Sequence, residues 1–141
     1  MANRSRAPIF GSRRRFPVTA DDPHLPQAAA IEAYGKGGFR FADMSHRGSI
    51  RCLPSGIWAW PVTVPAEINE ESLARALASR DVELFLVGTG NTPWLMPEAL
   101  RWRFRDARIG VEVTPTGPAV RTYNVLFGEG RRVGAALIAV D

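Results

Sequence analysis

Gly88-Thr89-Gly90 follows the apolar run Val82–Val87 and precedes a helix signal at Pro97. Open α/β sheets place their ligands just beyond the carboxyl ends of such strands. A dinucleotide fingerprint would need a third glycine at position 93, which is Pro93, and a phosphate-cradling P-loop would need a lysine that this stretch lacks. Both nucleotide motifs are therefore disfavoured, leaving either a crevice for another ligand or glycines that permit a tight turn. Glu112 sits between Val111 and Val113, and Thr116, Arg121, Thr122 and Asn124 fall at or near the start of the helix that follows. An acid aimed at helix-terminal donors could orient a ligand, or Glu112 and Arg121 could form an internal pair. Asn124 is a poor residue for a helix interior and is expected to satisfy the backbone of a neighbouring loop. Gly88, Thr89, Gly90, Glu112, Thr116, Arg121, Thr122 and Asn124 thus form the candidate ligand or partner crevice.

Other chemistry has weaker support. Nucleophilic catalysis needs a base beside the nucleophile. His24 lies in an arginine-rich leader, and His46 precedes Arg47-Gly48 in what reads as a hairpin loop. Cys52, within Ile50-Arg51-Cys52-Leu53, is expected to be a small core residue. As the only cysteine, beside two histidines, it supports neither an internal disulfide nor a multi-thiolate metal site. No catalytic residue, metal or cofactor is assigned. Trp58, Trp60 and Trp102 read as core, whereas Trp94-Leu95-Met96 lies in a proline-bounded loop and is the candidate partner patch.

These residues need elements to hold them. Ala28–Tyr34 reads as a short strand, Lys36-Gly37-Gly38 as a turn, and Phe39-Arg40-Phe41 as a strand with both rings on one face. Ser49–Leu53, a turn at Pro54-Ser55-Gly56 and Ile57–Trp60 extend this into an antiparallel meander. The second half changes rhythm. A helix over Glu70–Ser79 capped by Asn69, a buried strand over Val82–Val87, and a helix from Pro97 to about Asp106 come first. A strand over Ile109–Val113, a helix over Pro118–Phe127 and a final strand within Arg132–Val140 complete an α/β alternation.

The 141 residues suffice for one domain, with 45% hydrophobic and 23% charged residues. The longest uncharged run, Cys52 to Ala66, is interrupted by prolines and too short to cross a bilayer. Net charge is +4, but five arginines lie in residues 1–15 without any acid, so residues 16–141 hold thirteen bases against fourteen acids. A basic stripe on the body is not expected, and nucleic acid is a disfavoured partner. Residues 1–27, rich in arginine and proline, read as a flexible tail, and residues 28–141 as a single domain. No secretory signal is visible, so a bacterial cytoplasmic location is expected, peripheral at the inner membrane, with the mitochondrial matrix as the eukaryotic alternative.

Several spaced motifs resemble the Mth938-like family of small α/β proteins. They are Tyr34-Gly35-Lys36-Gly37-Gly38-Phe39-Arg40-Phe41, Leu53-Pro54-Ser55-Gly56, Leu86-Val87-Gly88-Thr89-Gly90, and above all the last third, with Gly110-Val111-Glu112-Val113, Arg121-Thr122-Tyr123-Asn124-Val125-Leu126 and Glu129-Gly130-Arg131-Arg132-Val133. The resemblance implies an α/β fold of three layers: a mixed central sheet with helices on one side and a small antiparallel sheet plus a helix on the other. The family includes a mitochondrial assembly factor for respiratory complex I, described as non-enzymatic. It therefore implies an interaction or assembly protein whose partners are proteins, membrane-complex assembly intermediates among them. A small-ligand binder or enzyme using the crevice after Gly88-Thr89-Gly90 is the alternative. A homodimer through meander edge strands is compatible with either.

Overall fold

The computed structural model describes residues 22–141. Eight strands form two sheets: a three-stranded antiparallel sheet, β1 (Ala33–Gly35), β2 (Gly38–Phe41) and β3 (Met44–Arg47), and a five-stranded mixed sheet. The larger sheet has the order β5-β4-β8-β6-β7, with β4 (Ser49–Leu53), β5 (Gly56–Trp60), β6 (Leu84–Gly88), β7 (Gly110–Thr114) and β8 (Val133–Leu137). Strands β6, β7 and β8 run parallel, while β4 pairs antiparallel with both β5 and β8. The helices are α1 (Ala74–Leu77), α2 (Glu98–Asp106) and α3 (Thr116–Gly128).

Alternation along the strands separates two cores. Trp58, Trp60, Phe85, Val87 and Ala136 face Leu73, Leu100 and Phe104 on the side of α1 and α2. Ile50, Cys52, Ile57, Leu86 and Leu137 face Phe39, Phe41, Val120 and Tyr123 on the side of the small sheet and α3. The two crossovers step in opposite directions from β6 and from β7, which puts α2 and α3 on opposite faces of the sheet. The Phe85 and Phe104 rings stack at 5.8 Å and lock α2 to β6. The three layers implied by the resemblance are all present.

The local departures have physical reasons. The expected strand over Ala28–Tyr34 shrinks to Ala33–Gly35, because the backbone before it is held by side chains of α3. Asn124 receives the Ile31 N–H and donates to the Ile31 carbonyl, both at 2.8 Å, and the Tyr123 hydroxyl donates to the Ala29 carbonyl at 2.9 Å. The expected role of Asn124 is thereby borne out. The meander has a fifth strand, β3, so His46 lies in a strand opposite Phe39 and not in a loop. The chain then passes through Gly48 into the second sheet. The helix expected over Glu70–Ser79 is reduced to Ala74–Leu77, although Asn69 does cap the turn before it: its Oδ1 accepts the Ser72 N–H at 2.8 Å.

The flexible-tail expectation for residues 1–21 lies outside the described residues. Residues 22–27 run along β5: the Ile57 N–H donates to the Leu25 carbonyl at 2.9 Å and the His24 N–H to the Ile57 carbonyl at 2.7 Å. This brings the His24 ring to 4.6 Å from that of His46.

Candidate functional site

The carboxyl ends of β6, β7 and β8 finish level, with Gly88 beside both Thr114 and Leu137. The next residues knit these ends together. The Thr89 N–H donates to the Thr114 carbonyl at 2.9 Å, the Ile138 N–H to the Gly88 carbonyl at 2.9 Å, and the Thr116 N–H to the Gly90 carbonyl at 3.0 Å. The Thr116 hydroxyl accepts the Gly90 N–H at 2.9 Å and donates to the Ile138 carbonyl at 2.7 Å. The Thr89 hydroxyl donates to the Thr92 carbonyl at 2.8 Å. Thr89 and Thr116 are buried.

Both glycines are required by this geometry. Gly90 has φ +76°, and a Cβ on Gly88 would come within 2.9 Å of Leu137 Cδ2 and 3.1 Å of Thr116 Cα. The structure thus brings together Gly88, Thr89, Gly90 and Thr116, as the sequence suggests, but directs their polar groups at one another.

The rest of the expected crevice lies elsewhere. Glu112 and Arg121 are exposed and form no ion pair with each other among the described residues, which corrects the expected internal pair. The reason is sheet order. β7 is the outermost strand, so an acid within its apolar run reaches water. Thr122 is half-buried on α3, and Asn124 is spent on Ile31. The partner patch divides as well: Leu95 is 83% exposed, Trp94 packs partly against the α2-side core, and Met96 is buried within that core. Met96 therefore drops out of the patch.

Burial shifts three titratable groups towards their neutral forms. Cys52 is fully buried, and desolvation pushes its thiol up to about 12, the neighbouring Tyr123 side chain acting the other way. Desolvation chiefly, and the Cys52 contact as well, raises the Tyr123 hydroxyl further above its ordinary value. Burial, reinforced by His24, lowers His46. Among the described residues, no group of three or more His, Cys, Asp or Glu side chains is placed to hold a metal ion. No described helix is long and apolar enough to cross a membrane.

Two features escape the sequence reading. One is a groove of about 1090 Å³ between β4–β5 and the α1 segment, lined by Arg51, Trp60, Glu71, Ser72 and Arg75. Part of its polar lining is engaged: Arg51 donates to the Ala59 carbonyl at 2.9 Å, Trp60 Nε1 to the Ser72 carbonyl at 2.8 Å, and the Arg75 guanidinium lies 4.4 Å over the Trp58 ring. The other is Trp102, expected in the core but 50% exposed. Leu100 and Phe104 mark the buried face of α2, and two residues turn a helix by about 200°, so the period alone could have placed Trp102 outside.

This three-layer α/β architecture, with its carboxyl-end crevice closed by its own hydrogen bonds, is of the Mth938-like class. Residues 31–138 match the family described as protein of unknown function DUF498/DUF598, and the chain belongs to that Mth938-like family. It is 38% identical over 127 residues to mouse NADH dehydrogenase [ubiquinone] 1 alpha subcomplex assembly factor 3, covering 89% of this chain and 68% of that protein. The human protein of the same name is 34% identical over 79% of this chain, which spans 61% of the human length. Among solved structures, a Bartonella henselae chain described as an outer membrane protein is 50% identical with TM-score 0.80, covering 84% of this chain and all of that one. A Bordetella pertussis protein described as a Mth938-like domain is 28% identical with TM-score 0.71, covering 91% and 92% of the two chains.

Proposed function

We propose that this chain is a non-catalytic interaction protein that assists assembly of respiratory complex I or another membrane complex, working by direct contact with protein partners. The 38% identity to the mouse complex I assembly factor over 89% of the chain carries this reading. The mutual hydrogen bonding of Gly90, Thr116 and Ile138 supports it, since those groups hold the fold and leave little for a ligand. Leu95, standing out beside a partly packed Trp94, is the apolar contact point. The expected setting is the cytoplasm, peripheral at the inner membrane, or the matrix in a mitochondrion.

The test is quantitative co-purification of the tagged full chain from gently solubilised membranes and cytosol. Enrichment of complex I subunits or another membrane assembly intermediate, lost with Leu95→Asp, is the expected result. Recovery no greater than that of the tag alone would overturn the reading.

A second reading, small-ligand binding, has the groove between β4–β5 and α1 in its favour, with a volume of about 1090 Å³ in the range of ligand clefts. Saturable stabilisation by a small molecule, abolished by Arg75→Ala, would transfer the assignment to it.

A further inference from the structure

Among the described residues, no strand pairs with the outer edge of β7 in the large sheet. The Gly110 N–H donates to the Glu83 carbonyl at 3.0 Å and the Thr114 carbonyl accepts the Thr89 N–H at 2.9 Å. The N–H and C=O of one strand residue share a side and neighbouring residues alternate, so Val111 and Val113 aim theirs away from β6. At the opposite edge, β5 is bridged by Leu25 at Ile57.

Beside the β7 edge lies the outer face of α2. Glu98, Arg101, Trp102, Arg105 and Arg108 border a hollow of about 400 Å³ that reaches Gly110 and Val111. The Arg105 guanidinium lies 4.7 Å over the half-exposed Trp102 ring. Arg103 pairs with Glu70 at 3.1 Å, but among the described residues Arg101, Arg105 and Arg108 form no ion pair. Arg108 has φ +61° just after α2, where the left-handed backbone favours glycine. The chain places a guanidinium there nonetheless.

We propose that the β7 edge and the arginine-flanked hollow of α2 form a docking site for an extended acidic segment of a partner protein, which joins the large sheet as a sixth strand. The backbone of such a segment meets the outward groups of Val111 and Val113. Side chains level with those valines point to the α2 face, because Val111 and Val113 themselves pack there. Acids at alternate positions therefore meet Arg101, Arg105 and Arg108. The residue between them lies level with Glu112, on the other face, where an acid is repelled and a polar or basic residue is accepted.

The same charges argue against other occupants. A second copy, paired antiparallel about Glu112, would set the two glutamates level and the two arginine clusters close together. A nucleic acid would bring phosphates to Glu112 and leave the outward N–H and C=O groups of the valines without strand partners.

The inference rests on the proposed function only in taking the partner to be a protein. Peptide binding tests the surface by itself, whereas co-purification tests the assembly role, so either can fail alone. The probe is a labelled nine-residue peptide alternating threonine and glutamate around a central lysine, titrated into the full chain by fluorescence anisotropy. Saturable binding is expected, weakening with salt, with slowed amide exchange at Val111 and Val113. Affinity should fall about tenfold for the double variant Arg101→Ala with Arg105→Ala, and about threefold for Arg108→Gly, which relieves backbone strain and so keeps the fold. A peptide of the same charge N-methylated at alternate amides should lose about tenfold or more.

Equal binding of the N-methylated peptide, or unchanged affinity in the Arg101→Ala, Arg105→Ala double variant, would overturn the proposal. So would self-association of the chain abolished by Val113→Pro, which would give the edge to a second copy, or preference for an RNA homopolymer over the peptide.

Discussion

The carboxyl ends of β6, β7 and β8 and the outer edge of β7 belong to the same strands but treat their polar groups in opposite ways. At the strand ends, Thr116 takes the Gly90 N–H and gives its own hydrogen to Ile138, so backbone and side chain close on each other. At the edge, Val111 and Val113 turn backbone groups outward beside three arginines without ion-pair partners among the described residues. In many α/β proteins the first region is where ligands bind. Here it works as a clasp joining three strands to α3, and the recognition surface proposed above lies at the side of the sheet.

The sharpest way to break this contrast is Thr116→Val. The substitution nearly preserves volume but leaves the Gly90 N–H and the Ile138 carbonyl buried without their partner. Two such groups cost about 3 kcal/mol together, read as a lowered urea midpoint with an unchanged slope. Peptide binding at the β7 edge should be unaffected under conditions where the variant remains folded. If Thr116→Val is neutral, the clasp is not a structural device and the crevice regains its claim to a ligand.

Asn124→Ala tests the same closure further along α3. The side chain brackets Ile31 with two hydrogen bonds of 2.8 Å, but the site is only partly buried and water can replace part of what is lost. About 2 kcal/mol is the expected cost, with faster amide exchange at Ile31 before any other change in the small sheet.

How much of this was legible in the sequence depends on how local the cause is. Phe39 and Phe41 alternate around Arg40, Ser49–Leu53 and Gly56–Trp60 flank a proline turn, and those strands fall where the pattern places them. Strand β3 was hidden for two reasons. Its turn, Ala42-Asp43, takes φ of +50° and +62° with no glycine to announce it, and Met44-Ser45-His46-Arg47 buries no large apolar side chain. Asn124 was readable because an amide in a helix interior needs a partner, though nothing local said that the partner was Ile31. Glu112 was misread because sheet order is not a local property: Val-Glu-Val reads as a buried run until β7 is known to be outermost. Of the crevice, the glycine turn and Thr116 were legible together, while the groove beside Arg75 and the β7 edge arise from segments that meet only in three dimensions.

A smaller effect separates residues 22–27 from both regions. Burial and the neighbouring His24 hold His46 below its ordinary 6.5, so the unfolded chain takes up the proton first as pH falls. The contribution to stability is complete above about 6.5 and is lost progressively below it, until folded His46 is itself protonated. Since the ring is only half-buried, solvent screening keeps the loss small. Glu67 and Glu83, held below 4.5 by hydrogen bonds from Thr63 and Arg131 respectively, lose theirs only in more acidic solution. A urea midpoint that declines as pH falls through and below about 6.5, flattened by His46→Gln, is the expected record. The amides of Leu25 and Ile57 should exchange faster over the same interval.

Arg108→Gly carries the smallest expected change and the one of opposite sign. A side chain at φ +61° crowds its own carbonyl, at a cost of about 1 kcal/mol, and glycine removes that crowding. Glycine also gains more freedom in the unfolded chain, which returns part of the benefit. The net expectation is stabilisation of about 0.5 kcal/mol, because the two bonds that end α2, from Arg108 N–H to Arg105 and from Ile109 N–H to Phe104, are backbone bonds and survive the change. A residue kept against its own backbone preference points to a use for its side chain. If the variant is more stable yet binds the acidic peptide less well, stability and recognition are opposed at this one position. If it is more stable and binds equally well, Arg108 plays no part at the edge, and Arg101 and Arg105 must carry the charge alone.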